Sequence, residues 1–186
     1  MIEKTVSIEY QFQWLFNSID SYPVSKVQLD VKNLTYDVNA FIIDIMQIFN
    51  EQWQEIVVGG PGFHTPWDWF CMISDTEERA EAVSSGYVYN VEFYDMLIQH
   101  DIEPTYSGYC KVFDWPRFIR IIISLLRDVN GSESLFFYSV KYNYCFYLHN
   151  TFGIGIWYKD LNLAISNIIQ RAIIKGFSIE KNMQLL

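Results

Sequence analysis

Residues 134–160, SLFFYSVKYNYCFYLHNTFGIGIWYKD, decide the fold. Aromatic and β-branched side chains dominate this stretch, and two short polar breaks, YN and NT, divide it into runs at 134–141, 144–149 and 152–158. Breaks of this length typically join antiparallel strands as hairpins. The stretch therefore predicts a three-strand antiparallel meander.

Two glycines in the last run raise the alternative of a phosphate-binding loop. Gly153 and Gly155 alternate with Phe152, Ile154 and Ile156, and a period of two residues is that of a strand. A dinucleotide fingerprint needs its glycines between a strand and the start of a helix, whereas the next helical pattern begins several residues later. The pattern favours a strand with one apolar face, whose other face is bare at two positions and allows an aromatic ring or a helix to approach the backbone.

Apolar spacing along the rest of the chain predicts mainly helices. Helices are expected at 7–19, over at least the first 16 residues of 36–57, and at 90–100, 115–129 and 161–176, and KVQLDV at 26–31 alternates like a short strand. We expect an α+β fold in which a small antiparallel sheet, the C-terminal three-strand meander, packs against several helices. The length fits a single domain over 1–186, with a helical part at 1–110 and a sheet-plus-helix part at 111–186 as its internal division.

The formal net charge of −9 is unevenly distributed along the chain. Residues 33–110 hold thirteen acidic side chains and a single base, Arg79, whereas residues 111–186 hold five acids and nine bases. An acidic central segment repels nucleic acid and anionic membrane surfaces and attracts positive charge. The distribution argues against nucleic acid or a membrane as the partner and favours a basic protein.

Two groups of residues are candidates for contact with that partner. The first is an acidic line on the helix at 36–57, on the side opposite its apolar stripe: Asp37, Asp44, Glu51 and Glu55. The second interleaves acids with tyrosines: Glu77, Glu78, Glu81, Tyr87, Tyr89, Glu92, Tyr94 and Asp95. Carboxylates steer an encounter and aromatic rings supply contact area. The alternatives are a solvated helix face for the first group, and core rings with acids at their rim for the second.

Few residues offer catalytic or metal-binding chemistry. His64, Asp68 and Cys71 form a candidate base, orienting group and nucleophile, but Cys71 lies in the apolar run WFCMI and lacks the basic neighbour that would lower its pKa. The histidine and cysteine spacings match no metal site, and no cofactor motif occurs. Three cysteines without a C-x-x-C pair indicate reduced, mostly buried thiols in a cytoplasmic protein. The N-terminus lacks the pattern of a secretory signal.

The final segment, FFYSVKYNYCFYLHN followed by IGIWYKDLNLAI, resembles the small acidic immunity proteins of bacterial polymorphic-toxin and contact-dependent growth inhibition systems. The chain is also similar to them in length, acidity and aromatic content. The resemblance implies a cytoplasmic antitoxin that binds one cognate toxin domain, often a nuclease, and needs no cofactor. The net-basic C-terminal third departs from that format.

These observations favour a non-enzymatic binding protein that neutralises a basic toxin domain, most plausibly a nuclease, by occluding its active site. A nuclease site must be positive to hold phosphate, which agrees with an acidic inhibitor. Two alternatives stay open: a small cysteine/histidine hydrolase that uses His64, Asp68 and Cys71, and a structural, oligomerising subunit.

Overall fold

One antiparallel sheet organises the computed structural model, which describes residues 1–16, 25–31, 37–59, 84, 88–103, 105–128 and 135–183. Within these residues the sheet has eight strands in the order β1-β4-β3-β5-β6-β7-β2-β8. The strands are β1 Ile2–Thr5, β2 Ser25–Val31, β3 Ile56–Gly59, β4 Tyr109–Val112, β5 Phe136–Ser139, β6 Tyr144–Leu148, β7 Ile154–Tyr158 and β8 Phe177–Met183.

Helices connect these strands and cover the sheet. The helices that the described residues define in full are α1 Gln13–Phe16, α2 Val38–Phe49, α3 Val88–Gln99, α4 Trp115–Asp128 and α5 Leu163–Ile174, with 3-10 helices at Glu9–Phe12 and Asn50–Glu55. Polar side chains begin three of the helices as expected. Asp37, Asp114 and Asn162 each accept a hydrogen bond from the backbone N–H three residues later.

The α+β class and the meander β5-β6-β7 are confirmed, but the prediction of a three-strand sheet is wrong in size. Strands from before residue 113 add to both sides of the meander: β3 pairs with β5, and β2 pairs with β7. Three of the missed strands contain four residues each, too few for an alternating pattern to stand out from a helical one.

The helix predicted over at least the first 16 residues of 36–57 ends before that length is reached. The α-helix ends at Phe49, and Asn50 takes a left-handed φ of 49°, a conformation that asparagine tolerates better than most residues. A 3-10 helix follows, and Ile56–Gly59 is strand β3. In the described part of the helix expected at 7–19, a 3-10 helix occupies Glu9–Phe12 and an α-helical turn occupies Gln13–Phe16. Residues 17–19 lie outside the described residues.

The central strands bury side chains on both faces of the sheet. Along β6, Tyr144, Phe146 and Leu148 join the large core beneath α2, α4 and α5, whereas Cys145 and Tyr147 belong to a smaller cluster on the opposite face. The N-terminal turns cover that second face with Phe12, Trp14 and Leu15. The predicted apolar face of β7 is confirmed, because Ile154, Ile156 and Tyr158 all lie in the large core.

Gly155 lets an aromatic ring lie on the backbone of β7, as the sequence predicts. Residue 155 faces Tyr147 across the β6–β7 ladder, and a Cβ at Gly155 would fall on the Tyr147 ring. That ring is held in place by edge contacts to Phe136 and Trp157, with centroids 5.8 and 5.9 Å away, and has little room to move aside.

We expect Gly155→Ala to lower the free energy of unfolding by about 1–3 kcal/mol, the usual cost of overpacking a filled site. In a Tyr147→Ala background the added methyl group has space. The same change should then be neutral or slightly stabilising, because alanine restricts the unfolded chain. Chemical denaturation of the four proteins measures this, and equal costs in both backgrounds would contradict the packing account.

Candidate partner-binding surface

Two acids of the predicted acidic line, Asp44 and Glu51, lie beside the C-terminal end of α5. Asp44 follows Phe41 by three residues, so its side chain projects about 60° around the helix from that buried ring rather than opposite it. The Asp44 carboxylate lies 2.9 Å from Lys175 Nζ, and its side chain is only 16% exposed. The expected position of Asp44 on the face opposite the apolar stripe is therefore wrong, and the residue links α2 to the end of α5.

Glu51 and Glu55 lie on the 3-10 helix that follows α2 and are much more exposed. Glu51 Oε1 is 3.9 Å from Arg171 Nη2, and Glu55 Oε1 is 3.9 Å from Lys141 Nζ. The two acidic side chains are 65% and 46% exposed. Ion pairs at this separation and exposure contribute at most about 1 kcal/mol each. Both carboxylates therefore keep most of their capacity to bind another cation.

Arg171 has a second contact that fixes its position. Its Nη1 donates a 3.2 Å hydrogen bond to the carbonyl oxygen of Ile48, in the last turn of α2. A cation at a helix C-terminus interacts favourably with the carbonyl groups left unpaired there. Asp37, at the other end of α2, is exposed and caps the helix through Ala40 N at 2.9 Å.

An open groove of about 470 Å³ is lined by Glu51 and by Lys141, the cation beside Glu55. It runs between the 3-10 helix, the turn that joins β5 to β6, and the first half of α5. Asn162 joins two of these walls, because its Oδ1 caps α5 and its Nδ2 donates to the carbonyl oxygen of Tyr142 at 2.8 Å. The groove is lined by Glu51, Gln52, Lys141, Tyr142, Asn162, Leu163, Ala164 and Asn167.

Gln52 places an amide in the wall of the groove. The residue is 3% exposed, and its Oε1 accepts a 2.7 Å hydrogen bond from the Tyr144 hydroxyl, which rises from the central strand β6. The Tyr144 hydroxyl occupies the amide oxygen of Gln52, so the Gln52 NH₂ group is the end of the amide that can donate to a ligand. A tyrosine hydroxyl is already protonated at neutral pH, and burial raises the pKa of Tyr144 further.

The second predicted group is only partly described. Glu92, on α3, lies 3.9 Å from Arg117 Nη2, so this acid has a cation of the same chain beside it. Tyr94 is half-buried against the large core, and Asp95 is half-buried nearby on α3. Tyr89 is in the same helix. Outside the described residues lie Glu77, Glu78, Glu81 and Tyr87.

The catalytic alternative also falls outside the described residues, since His64, Asp68 and Cys71 are not among them. Within the residues that are described, no group of three His, Cys, Asp or Glu side chains is arranged to hold a metal ion. In the same part of the chain, no helix combines the length and the apolar character needed to cross a bilayer.

Comparison with known proteins gave no match: a scan of protein-family models, a search of curated proteins and a search of solved structures each found none. The functional argument therefore depends on the residues themselves.

Cys110 and Cys145 are free thiols buried in the sheet, which confirms the sequence prediction for these two cysteines. Burial raises the pKa of Cys110 to about 12 and raises that of Cys145 as well. A thiol with a raised pKa is a poor nucleophile, because the reactive species is the thiolate.

We expect both thiols to be inert toward a disulfide reagent in the native Cys71→Ser variant at about pH 8, where an ordinary exposed thiol reacts readily. Unfolding in guanidinium is the control, and both thiols should then react with the reagent. Fast labelling of either cysteine in the native protein would contradict the buried positions.

Proposed function

We propose that this chain is an immunity-type antitoxin that binds a cognate toxin domain, a basic nuclease, and occludes its active site. The observation that carries the proposal is the groove lined by Glu51 and Lys141, with Glu55 paired to that lysine; Glu51 and Glu55 are the rim acids. Both exposed carboxylates lie 3.9 Å from the chain's own cations, and Asn50 Nδ2 also donates a hydrogen bond to Glu51 Oε2. A lysine or arginine of the partner can therefore approach either acid without displacing a closely bound cation.

The chemistry of the groove supports a protein as the ligand. Amides, such as those of Gln52 and Asn167, match the donors and acceptors of a peptide backbone, and Leu163 adds apolar contact at one end. Charged pairs at the rim of such an interface steer association, and a desolvated centre supplies most of the affinity. Asp44 has a different role in this proposal, since its bond to Lys175 stabilises the fold.

The remaining predicted contacts are part of the same proposal. In it, Asp37, Glu92 and Asp95 add negative charge that attracts a basic partner. Further candidate contacts are Glu77, Glu78, Glu81, Tyr87, Tyr89 and Tyr94. The inhibitor would act in the cytoplasm, without a cofactor and without binding nucleic acid or membrane. A hydrolase built on His64, Asp68 and Cys71 stays an untested alternative.

The proposal expects a toxin-type domain to be encoded next to this chain, and that domain is the candidate partner in the test. Replacing both rim acids, Glu51→Lys with Glu55→Lys, should slow association about tenfold or more, because steering depends on the sign of the local charge. Glu3→Lys is the matched control, an exposed acid on β1 at the far edge of the sheet. It should leave the rate close to that of the parent. Association rates from stopped-flow mixing and thermal unfolding of all three proteins distinguish an effect on binding from an effect on folding.

Raising the salt concentration from about 0.1 M to about 1 M shortens the screening length from roughly 10 Å to 3 Å. The association rate of the parent protein with the toxin domain should therefore fall much more than that of the doubly substituted variant. Nucleic-acid substrate should compete with the inhibitor for the toxin domain. An association rate that does not respond to the rim substitutions or to salt would reject this surface as the binding site.

A further inference from the structure

Two side-chain amides in the groove have hydrogen-bonding capacity that the fold leaves unused. Gln52 is 3% exposed, yet its NH₂ group bonds to none of the described residues and reaches the groove instead of being sealed in the core. Asn167, half-buried on α5, also lines the groove, and its carboxamide bonds to none of the described residues either. A polar group with so little access to water is stabilised when a ligand pairs with it.

Tyr144 decides which end of the Gln52 amide faces the groove. Its hydroxyl donates to Gln52 Oε1 at 2.7 Å, and its ring packs beside Phe49 and Phe146, with centroids 6.4 and 6.5 Å away. Among the described residues, this oxygen is the acceptor that the hydroxyl proton has. Reversing the amide would leave that proton unpaired in the core, which is unfavourable. Gln52 therefore offers the groove a donor and no acceptor.

We propose that the groove binds an extended segment of the partner protein through the backbone of that segment. Gln52 donates to a carbonyl oxygen of the segment. Asn167, whose amide carries a donor and an acceptor side by side, pairs with the C=O and N–H groups of a peptide. The inference rests on the proposed function in one respect, which is that the ligand is a protein.

Neutral groups carry this inference, because the charged groups of the groove have partners in the same chain. Lys141 and Glu51 each lie 3.9 Å from an oppositely charged side chain. Asn162 also contributes nothing to a ligand through its amide, since its oxygen caps α5 and its NH₂ group donates to Tyr142. Gln52 and Asn167 are the groove amides that remain available.

The shape of the groove also suits an extended chain. It is open, and Tyr142, Leu163 and Ala164 give its walls apolar surface between the polar groups. Successive side chains of an extended segment point to opposite sides, so one set can contact this apolar surface while the other set faces solvent. Recognition of this kind depends on backbone hydrogen bonds more than on the identity of each side chain.

A library of random peptides displayed on phage, selected on the immobilised parent chain, tests the inference without any toxin domain. We expect enriched peptides whose synthetic copies bind the parent in solution. In such a copy, one internal N-methyl group should lower the affinity about tenfold or more, because it removes the N–H that Asn167 accepts. Substitution of a solvent-facing side chain should leave the affinity close to that of the original peptide.

Two isosteric substitutions test the groove itself. Asn167→Asp replaces a donor with an acceptor and should lower peptide affinity about tenfold or more. Gln170→Glu is the matched control, since it adds the same charge at an exposed position of α5 outside the groove lining. Gln52→Glu keeps an acceptor for the Tyr144 hydroxyl but removes the donor, and it should act like Asn167→Asp. Thermal unfolding shows whether this buried change leaves the chain folded, and Asn167→Asp decides the result if it does not.

Three results would overturn the inference: no enriched peptide, peptides that bind the Asn167→Asp and Gln170→Glu variants equally well, or binding that no N-methyl group affects. Failure of the proposed function has a different signature. Peptides that depend on Asn167, together with a toxin-type domain that does not bind, would reject the antitoxin and keep the peptide groove. A toxin domain whose association responds to the rim substitutions but not to Asn167→Asp would keep the antitoxin and reject the peptide groove.

Discussion

The burial of β5, β6 and β7 on both faces is the constraint on which the rest of the structure depends. Phe137 and Phe146 stack beneath the helices with ring centroids 4.6 Å apart, while Tyr138 and Tyr147 fill the second face. A doubly covered strand cannot shift its register by one residue without exchanging its two sets of neighbours. That fixed register places Tyr144 beneath Gln52, and so sets one wall of the groove.

The charge imbalance along the sequence is partly compensated within the folded chain. Five acids of the central segment, Asp44, Glu51, Glu55, Glu92 and Glu103, lie within 4 Å of cations from the N-terminal strand or the C-terminal third. The segments of opposite charge therefore meet within one molecule, and overall acidity alone does not identify a partner. Exposure separates these acids: Asp44 lies between two helices, whereas Glu51 and Glu55 remain accessible at the groove.

Sequence patterns predicted the elements that depend on interactions between residues close together in the chain. The meander, the apolar face of β7 and the positions of α4 and α5 were readable because each depends on a few neighbouring residues. The sheet order was not, since pairs such as Val58 with Phe137 join residues far apart in the sequence. Glu51 and Glu55 were identified as candidates because their charge and spacing are visible in the sequence. Gln52 and Lys141 were missed, because they become groove residues only where three elements meet in the fold.

The central claim is that the acidic line divides into one acid that stabilises the fold and others that are available to a partner. Double-mutant cycles on stability test it most directly, with Asp44→Asn and Lys175→Met in one cycle and Glu51→Gln and Arg171→Met in the other. The account predicts a coupling of about 1 kcal/mol for the half-buried pair and close to zero for the exposed pair. Equal couplings, or a larger one for Glu51 with Arg171, would contradict it.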